Sequence, residues 1–154
     1  MRIALMVVRL FFQVPYYLFR VWWCGVDKKT TYEEAFWLIK KITKKANYAG
    51  RVIIEDHGLE NLPGEDGFIL FPNHQGMFES CPRPFSFVAK KEVSNIILLK
   101  QVIKALGAYA MDREDIRQSM KVINAMAEDV KAGRNFLIFP EGTRSKMGNK
   151  LLEL

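Results

Sequence analysis

Phe136-Leu137-Ile138-Phe139-Pro140-Glu141-Gly142-Thr143-Arg144 runs four apolar residues straight into a polar cluster. A short, continuous apolar run predicts a strand buried on both faces, because a half-solvated strand would alternate. The same design recurs upstream. Phe68-Ile69-Leu70-Phe71 leads through Pro72 into Asn73-His74, and Gly107-Ala108-Tyr109-Ala110-Met111 leads into Asp112-Arg113. Residues 85–89 (FSFVA) form another apolar run, and residues 51–55 (RVIIE) make a fifth candidate strand, set off by the turn Asn61-Leu62-Pro63-Gly64.

Helical patterns separate these runs. Thr31-Tyr32-Glu33-Glu34 is a capping box, Thr31 bonding forward and Glu34 reaching back. The helix it opens sets Phe36, Ile39 and Ile42 on one side and ends near residues 47–50. Ser94 is read as the cap of a helix reaching about Leu106, with Ile96, Ile97, Val102 and Ile103 inward. The acids Asp112, Glu114 and Asp115 open a long helix carrying Ile116, Met120, Ile123, Met126 and Val130 at core spacing, and Gly133 closes it. Strands alternating with helices predict an α/β fold: a mixed, mostly parallel sheet flanked by helices.

The 154 residues are 49% hydrophobic and 26% charged, with a net charge of +6, which excludes a disordered tail, a collagen-like repeat and a disulfide scaffold. The length suits one domain with its own core. Cys24 and Cys81 stand in unlike contexts and are read as free thiols. Residues 1–26 hold Arg2, Arg9 and Arg20, no acid, and seven of the nineteen aromatic residues. Basic, aromatic and apolar residues together are the composition of a membrane-interface segment. Arg9 and Arg20 bound only ten uncharged residues, Pro15 among them, whereas a spanning helix needs about 20. Residues 21–25 (VWWCG) are not a small-residue cleavage site, so a secretory signal is not expected. The expectation is a helix or helix pair lying in the interface, its arginines reaching lipid phosphates. A short spanning anchor and an apolar helix packed on the domain are the alternatives. A nucleic-acid partner is not expected, because no cluster of basic residues on a polar face is present.

In open α/β sheets, ligands bind beyond the carboxyl ends of the strands. Asn73-His74, Asp112-Arg113 and Glu141-Gly142-Thr143-Arg144 all follow apolar strands, so they are expected to share one site. Arg113 and Arg144 would present two planar forks suited to a phosphate or carboxylate. His74 beside them could take a proton from a hydroxyl near neutral pH. Arg113 also has a plainer reading, as a solvated neighbour within an acid-rich helix entry. His57 is read as structural or merely exposed.

These blocks resemble those of the glycerolipid acyltransferase family. Phe71-Pro72-Asn73-His74-Gln75-Gly76-Met77-Phe78-Glu79 looks like its N-H-x-x-x-x-D block, residues 107–113 (GAYAMDR) are similar to its second block, and Phe139-Pro140-Glu141-Gly142-Thr143-Arg144-Ser145 matches its third. The nearest branch is the bacterial one that acylates 1-acyl-glycerol-3-phosphate to phosphatidic acid. The resemblance runs from about Val52 to Leu154 and implies no metal and no prosthetic group. It implies that His74 is the general base toward the free hydroxyl of lysophosphatidate, which then attacks the thioester of acyl-CoA or acyl carrier protein. Glu79 stands where the family's acidic partner of the histidine belongs. Arg113 and Arg144 would hold the acceptor phosphate, Gly142 admitting close backbone approach, Thr143 offering a hydroxyl and Glu141 organising the loop. The implied partners are membrane lipids, lysophosphatidate and the acyl donor. The implied location is membrane-associated, at the cytoplasmic face of the inner or plasma membrane. On this basis residues 1–26 are expected to be a membrane-associating segment and 27–154 an acyltransferase domain truncated at its C-terminus.

Three departures accompany the resemblance. The family has Asp five places after the histidine, and this chain has Glu79. Only residues 80–84, two of them Pro, separate Glu79 from the apolar run at Phe85, leaving no room for the helix the family places there. An internal deletion is the simplest reading. The family's fourth, Pro-containing block does not follow residues 141–144. An incomplete or inactive member that binds anionic lipid without turnover is therefore the alternative function.

Overall fold

The computed structural model describes residues 2–72 and 81–139. Its best-anchored helix begins where the capping box places it. The Thr31 hydroxyl accepts the Glu34 N–H at 3.2 Å, and the Glu34 carboxylate accepts the Thr31 N–H at 3.0 Å. Two of the four amide donors that a helix start leaves open are thereby satisfied. The helix, α3, runs Tyr32–Ala49 behind α1 (Arg2–Arg9) and α2 (Val14–Val26). Thr31→Ala should cost about 1 kcal/mol, read as a lower midpoint in urea unfolding with an unchanged slope.

The strands are β1 (Ile69–Leu70), β2 (Ser86–Lys90), β3 (Tyr109–Met111) and β4 (Phe136–Leu137). They form one sheet in the order β1-β4-β2-β3, and all three pairings are parallel. Between them lie α4 (Ile97–Ala105) and α5 (Ile116–Lys131). The core forms where α3 and α4 meet the sheet: Ala35, Phe36, Cys81, Phe85, Ala105, Leu106 and Leu137 are all buried together. The Phe36 and Phe85 rings meet edge to face, centroids 5.0 Å apart, the arrangement that suits their quadrupoles. Lys40 is buried in the same region, its ammonium donating to the Cys81 carbonyl and lying 5.2 Å from the Trp37 ring centroid. Both cysteines are free, and burial pushes both thiols up, so they stay protonated and unreactive.

Asn135, only 1% exposed, ties the entrances of three strands. Its side-chain oxygen accepts the N–H of Gly67 at 2.8 Å and of Phe68 at 3.3 Å, just before β1. Its amide nitrogen donates to Asp66 at 2.9 Å and to the Pro84 carbonyl at 3.0 Å, just before β2. Its own carbonyl accepts the Ser86 N–H at 2.8 Å.

Several expectations are corrected. Residues 51–55 pair with no described strand, and Ile53 and Ile54 are exposed. Arg51 turns into the left-handed region at φ 54° directly after α3, and β-branched residues without a neighbouring ladder do not make a strand. Ser94 caps no helix. It sits in a 3₁₀ turn, its hydroxyl donating to the Lys91 carbonyl at 2.6 Å, and α4 starts at Ile97 behind Ile96, which is exposed. The long helix begins at Ile116, with the Asp115 carboxylate accepting the Gln118 N–H. Its inward face is Val122 and Met126, while Ile116, Met120 and Ile123 are exposed. Its end is as expected: Gly133 takes φ +92°, and the N–H groups of Gly133 and Arg134 donate back to Val130 and Asp129, closing the open carbonyls as a Schellman motif does.

The membrane-associated location is also corrected. Among the described residues no helix is long and apolar enough to cross a membrane. At about 1.5 Å per residue, the 13 residues of α2 reach about 20 Å against the roughly 30 Å of a hydrocarbon core. The segment instead packs on the domain, α1 against α3 and α2 against both α3 and α4. Gly25 lets α2 approach closely, because a Cβ there would stand 2.9 Å from the Gln101 carbonyl oxygen. The arginines are used within the protein too. Arg9 donates to the Ala49 carbonyl at the end of α3, where the helix dipole favours a cation, and Arg20 donates to the Tyr16 hydroxyl.

Candidate active site

Because all pairings are parallel, the carboxyl ends of the four strands lie along one edge of the sheet. β1 and β4 are neighbours there. The Ile138 N–H donates to the Leu70 carbonyl at 2.9 Å, so the two chains still run side by side as they leave the sheet. In sequence, His74 follows Leu70 by four positions and Glu141 follows Ile138 by three. His74, Glu79, Glu141, Gly142, Thr143 and Arg144 themselves lie outside the described residues.

Arg113 is the one expected site residue that is described. It sits exposed at the turn after β3, which is separated from β4 by β2. Among the described residues nothing bonds or pairs with its guanidinium, in contrast to the turn around it. Lys91, at the end of β2, reaches across to the Asp112 carboxylate at 2.9 Å. The other Asp112 oxygen accepts the Glu114 N–H, and the Asp112 N–H donates to the Gln118 side chain, which in turn donates to the Ala110 carbonyl. The Ser119 hydroxyl donates to the Asp112 carbonyl at 2.7 Å. These bonds hold the turn from both sides and leave the Arg113 side chain free to meet an anion.

Sequence reasoning missed Lys91 and Gln118. The Asp115-x-x-Gln118 spacing at a helix start was the available signal. Lys91 holds the Asp112 carboxyl below the usual carboxylate range, and Asp112 holds the Lys91 ammonium above its usual value. The pair therefore supports the fold from about pH 4, the unfolded carboxyl value, to about pH 10, the unfolded amine value. Its contribution fades as the pH falls through the lowered Asp112 value or rises through the raised Lys91 value. The gap in Tm between the parent and Asp112→Asn should be level across neutral pH and close as the pH falls through the lowered Asp112 value. Among the described residues no cluster of three His, Cys, Asp or Glu side chains could hold a metal ion.

The sheet is parallel throughout, and in sequence the segments bearing His74, Arg113 and Glu141-Gly142-Thr143-Arg144 follow three of its strands. The chain belongs to the Acyltransferase family, whose model matches residues 53–153. It is 32% identical over 101 residues to the chloroplastic 1-acyl-sn-glycerol-3-phosphate acyltransferase LPAT1 of Arabidopsis thaliana, a match covering 62% of this chain and 28% of the relative. It is 33% identical over 90 residues to the 1-acyl-sn-glycerol-3-phosphate acyltransferase of Helicobacter pylori, covering 54% and 38%. It is 28% identical over 99 residues to that of Bacillus subtilis, covering 60% and 49%. The chain thus spans less than half the length of each of these relatives. No solved structure matches it.

Proposed function

We propose that this chain transfers an acyl group from acyl-CoA or acyl carrier protein to the free hydroxyl of 1-acyl-glycerol-3-phosphate, giving phosphatidic acid. The catalytic part in this reading is residues 27–154. The observation that carries it is the adjacency of β1 and β4, since the segments bearing His74 and Glu141-Gly142-Thr143-Arg144 leave neighbouring parallel strands at the ligand-binding edge.

The imidazole of His74 takes the proton of the acceptor hydroxyl as its oxygen attacks the thioester carbonyl carbon. The tetrahedral intermediate collapses, the C–S bond breaks, and the leaving thiolate recovers the proton from the imidazolium. Glu79 stabilises that imidazolium and holds the productive tautomer. Arg144 and Arg113 grip the acceptor phosphate, Gly142 and Thr143 line its approach, and Glu141 orders the loop. Names of relatives that specify 1-acyl-sn-glycerol-3-phosphate support this choice of acceptor.

The test incubates the purified chain with lysophosphatidate and either acyl-CoA or acyl carrier protein charged with an acyl group, measuring phosphatidate and released thiol together. Equal amounts of both products are expected. Lysophosphatidate binding without thiol release would instead identify an inactive member that binds anionic lipid, and neither binding nor turnover would overturn the reading altogether.

A further inference from the structure

A cleft of about 770 Å³ opens between α2 and the start of α3, and its lining includes Phe19, Arg20, Trp23, Thr30, Glu34 and Trp37. Its size falls within the roughly 300–1,000 Å³ of small-molecule sites. Phe19 and Trp23 lie one turn apart on α2, their centroids 6.1 Å apart and their planes 32° off parallel. From α3 comes Trp37, braced by the Phe36 ring edge to face at 5.3 Å and by the Lys40 ammonium at 5.2 Å. Phe19, Trp23 and Trp37 are all exposed. Aromatic faces held in this way are stacking surfaces for a planar ring.

The polar groups of the lining are only partly used. Arg20 has five N–H donors. One guanidinium nitrogen donates to the Tyr16 hydroxyl at 3.0 Å, and among the described residues no carboxylate pairs with Arg20. Glu34 accepts the Thr31 N–H on one carboxylate oxygen at 3.0 Å, and its other oxygen accepts nothing among the described residues. The Thr30 hydroxyl donates to Asp27 at 2.9 Å and keeps its lone pairs. The lining therefore offers stacking surface, one cationic fork suited to phosphate and two acceptors. A hydrocarbon would leave the polar groups unmatched, and a quaternary ammonium would meet Arg20. A planar base with an exocyclic amine and a phosphate matches all of them, which describes an adenine nucleotide.

Of the two acyl donors in the proposed reaction, acyl-CoA ends in a phosphorylated adenosine. We infer that this cleft binds the nucleotide end of coenzyme A, its adenine against Trp23 and Trp37, its amine toward Glu34 and a phosphate on Arg20. The choice of coenzyme A rests on the proposed reaction, whereas binding here requires no turnover. The thioester sits at the far end of the pantetheine arm, so the nucleotide need not lie at the reacting atoms. None of the lining residues belongs to the strand-end cluster.

The test titrates the whole chain with coenzyme A, adenosine 3′,5′-bisphosphate, ATP and pantetheine, followed by calorimetry and by tryptophan fluorescence. Coenzyme A and the bisphosphate should bind and quench the fluorescence, and pantetheine should do neither. Trp37→Leu should weaken the bisphosphate at least about fivefold, the loss of one stacking face, and Arg20→Gln about tenfold. In the acyl-transfer assay Arg20→Gln should raise the KM for acyl-CoA by a similar factor, leaving kcat and the KM for charged acyl carrier protein unchanged. Bisphosphate binding without turnover would leave this site standing and remove the reaction. Turnover without bisphosphate binding would do the reverse. Crosslinking with an azidoadenine analogue of coenzyme A, mapped by mass spectrometry, should label α2 and α3, which keeps the inference testable should Trp37→Leu fail to fold. Labelling elsewhere, undiminished binding to Arg20→Gln, equal binding of pantetheine, or tighter binding of ATP than of coenzyme A would overturn it.

Discussion

Replacing His74 by Ala is expected to lower phosphatidate formation by on the order of 10³-fold, within the range that a positioned general base supplies. The acceptor hydroxyl is a weak nucleophile at neutral pH, so without a base its proton must leave to water as the C–O bond forms. The loss should fall on kcat and leave the KM for lysophosphatidate nearly unchanged, because the imidazole acts on the reacting oxygen and not on the phosphate. In the parent, kcat/KM should drop on the acid side as the base takes up a proton, and this limb should be missing from the residual activity of His74→Ala. Arg144→Ala should show the opposite division, with most of its effect in KM. Glu79 provides the finer test, since Glu is one methylene longer than the Asp of the family and a misplacement of about 1 Å can cost 10²-fold. Glu79→Ala should therefore lose on the order of 10²-fold. Full activity in that variant would remove Glu79 from the mechanism, and full activity in His74→Ala would remove the mechanism itself.

Asn135→Leu is expected to be the most destabilising single change within the described core. Leucine fills a similar volume, but it can neither accept from Gly67 and Phe68 nor donate to Asp66 and the Pro84 carbonyl. The Phe68 N–H is buried, so its desolvation is no longer compensated. At about 1–3 kcal/mol for each such orphaned group, the total should reach about 3–5 kcal/mol. For a chain of this size that is a Tm lower by about 10 °C. Asn135→Asp discriminates the cause: it keeps the oxygen that accepts from Gly67 and Phe68 but faces Asp66 with a second carboxylate. Its deficit should shrink as the pH falls and one of the two takes up a proton. A change in Tm of under 3 °C for Asn135→Leu would show that the strand entrances are held by other contacts.

Local grammar carried far in this chain. The Thr31–Glu34 box, the glycine stop at Gly133 and the positions of four strands were all readable, because each rests on contacts a few residues apart or on a continuous apolar run. The order and spacing of the motif blocks identified the family before any contact was known. Legibility failed where a residue's role depends on what lies opposite it. Residues 51–55 have the composition of a strand and no described partner. On α5 Met126 faces the core as its spacing suggests, but beside it lies Val122, while Ile116, Met120 and Ile123, whose spacing also suits burial, are exposed. Nothing in the sequence marks Asn135, because four partners from 51 to 69 positions away cannot be seen along the chain.

The N-terminal segment shows the same division. Composition marked it as amphipathic and helical, since periodicity and propensity are properties of the segment alone. Where its arginines and apolar face turn is set by long-range packing: Arg9 meets the end of a helix 40 residues away, and α2 lies against α4 through the gap left at Gly25. The candidate site divides likewise. Its residue types and the chemistry they suit are written in three short motifs. That β4 inserts between β1 and β2, with the chains after β1 and β4 leaving side by side, is a matter of strand order. Hydrogen bonds between segments nearly 70 residues apart decide that order, and no local pattern encodes them.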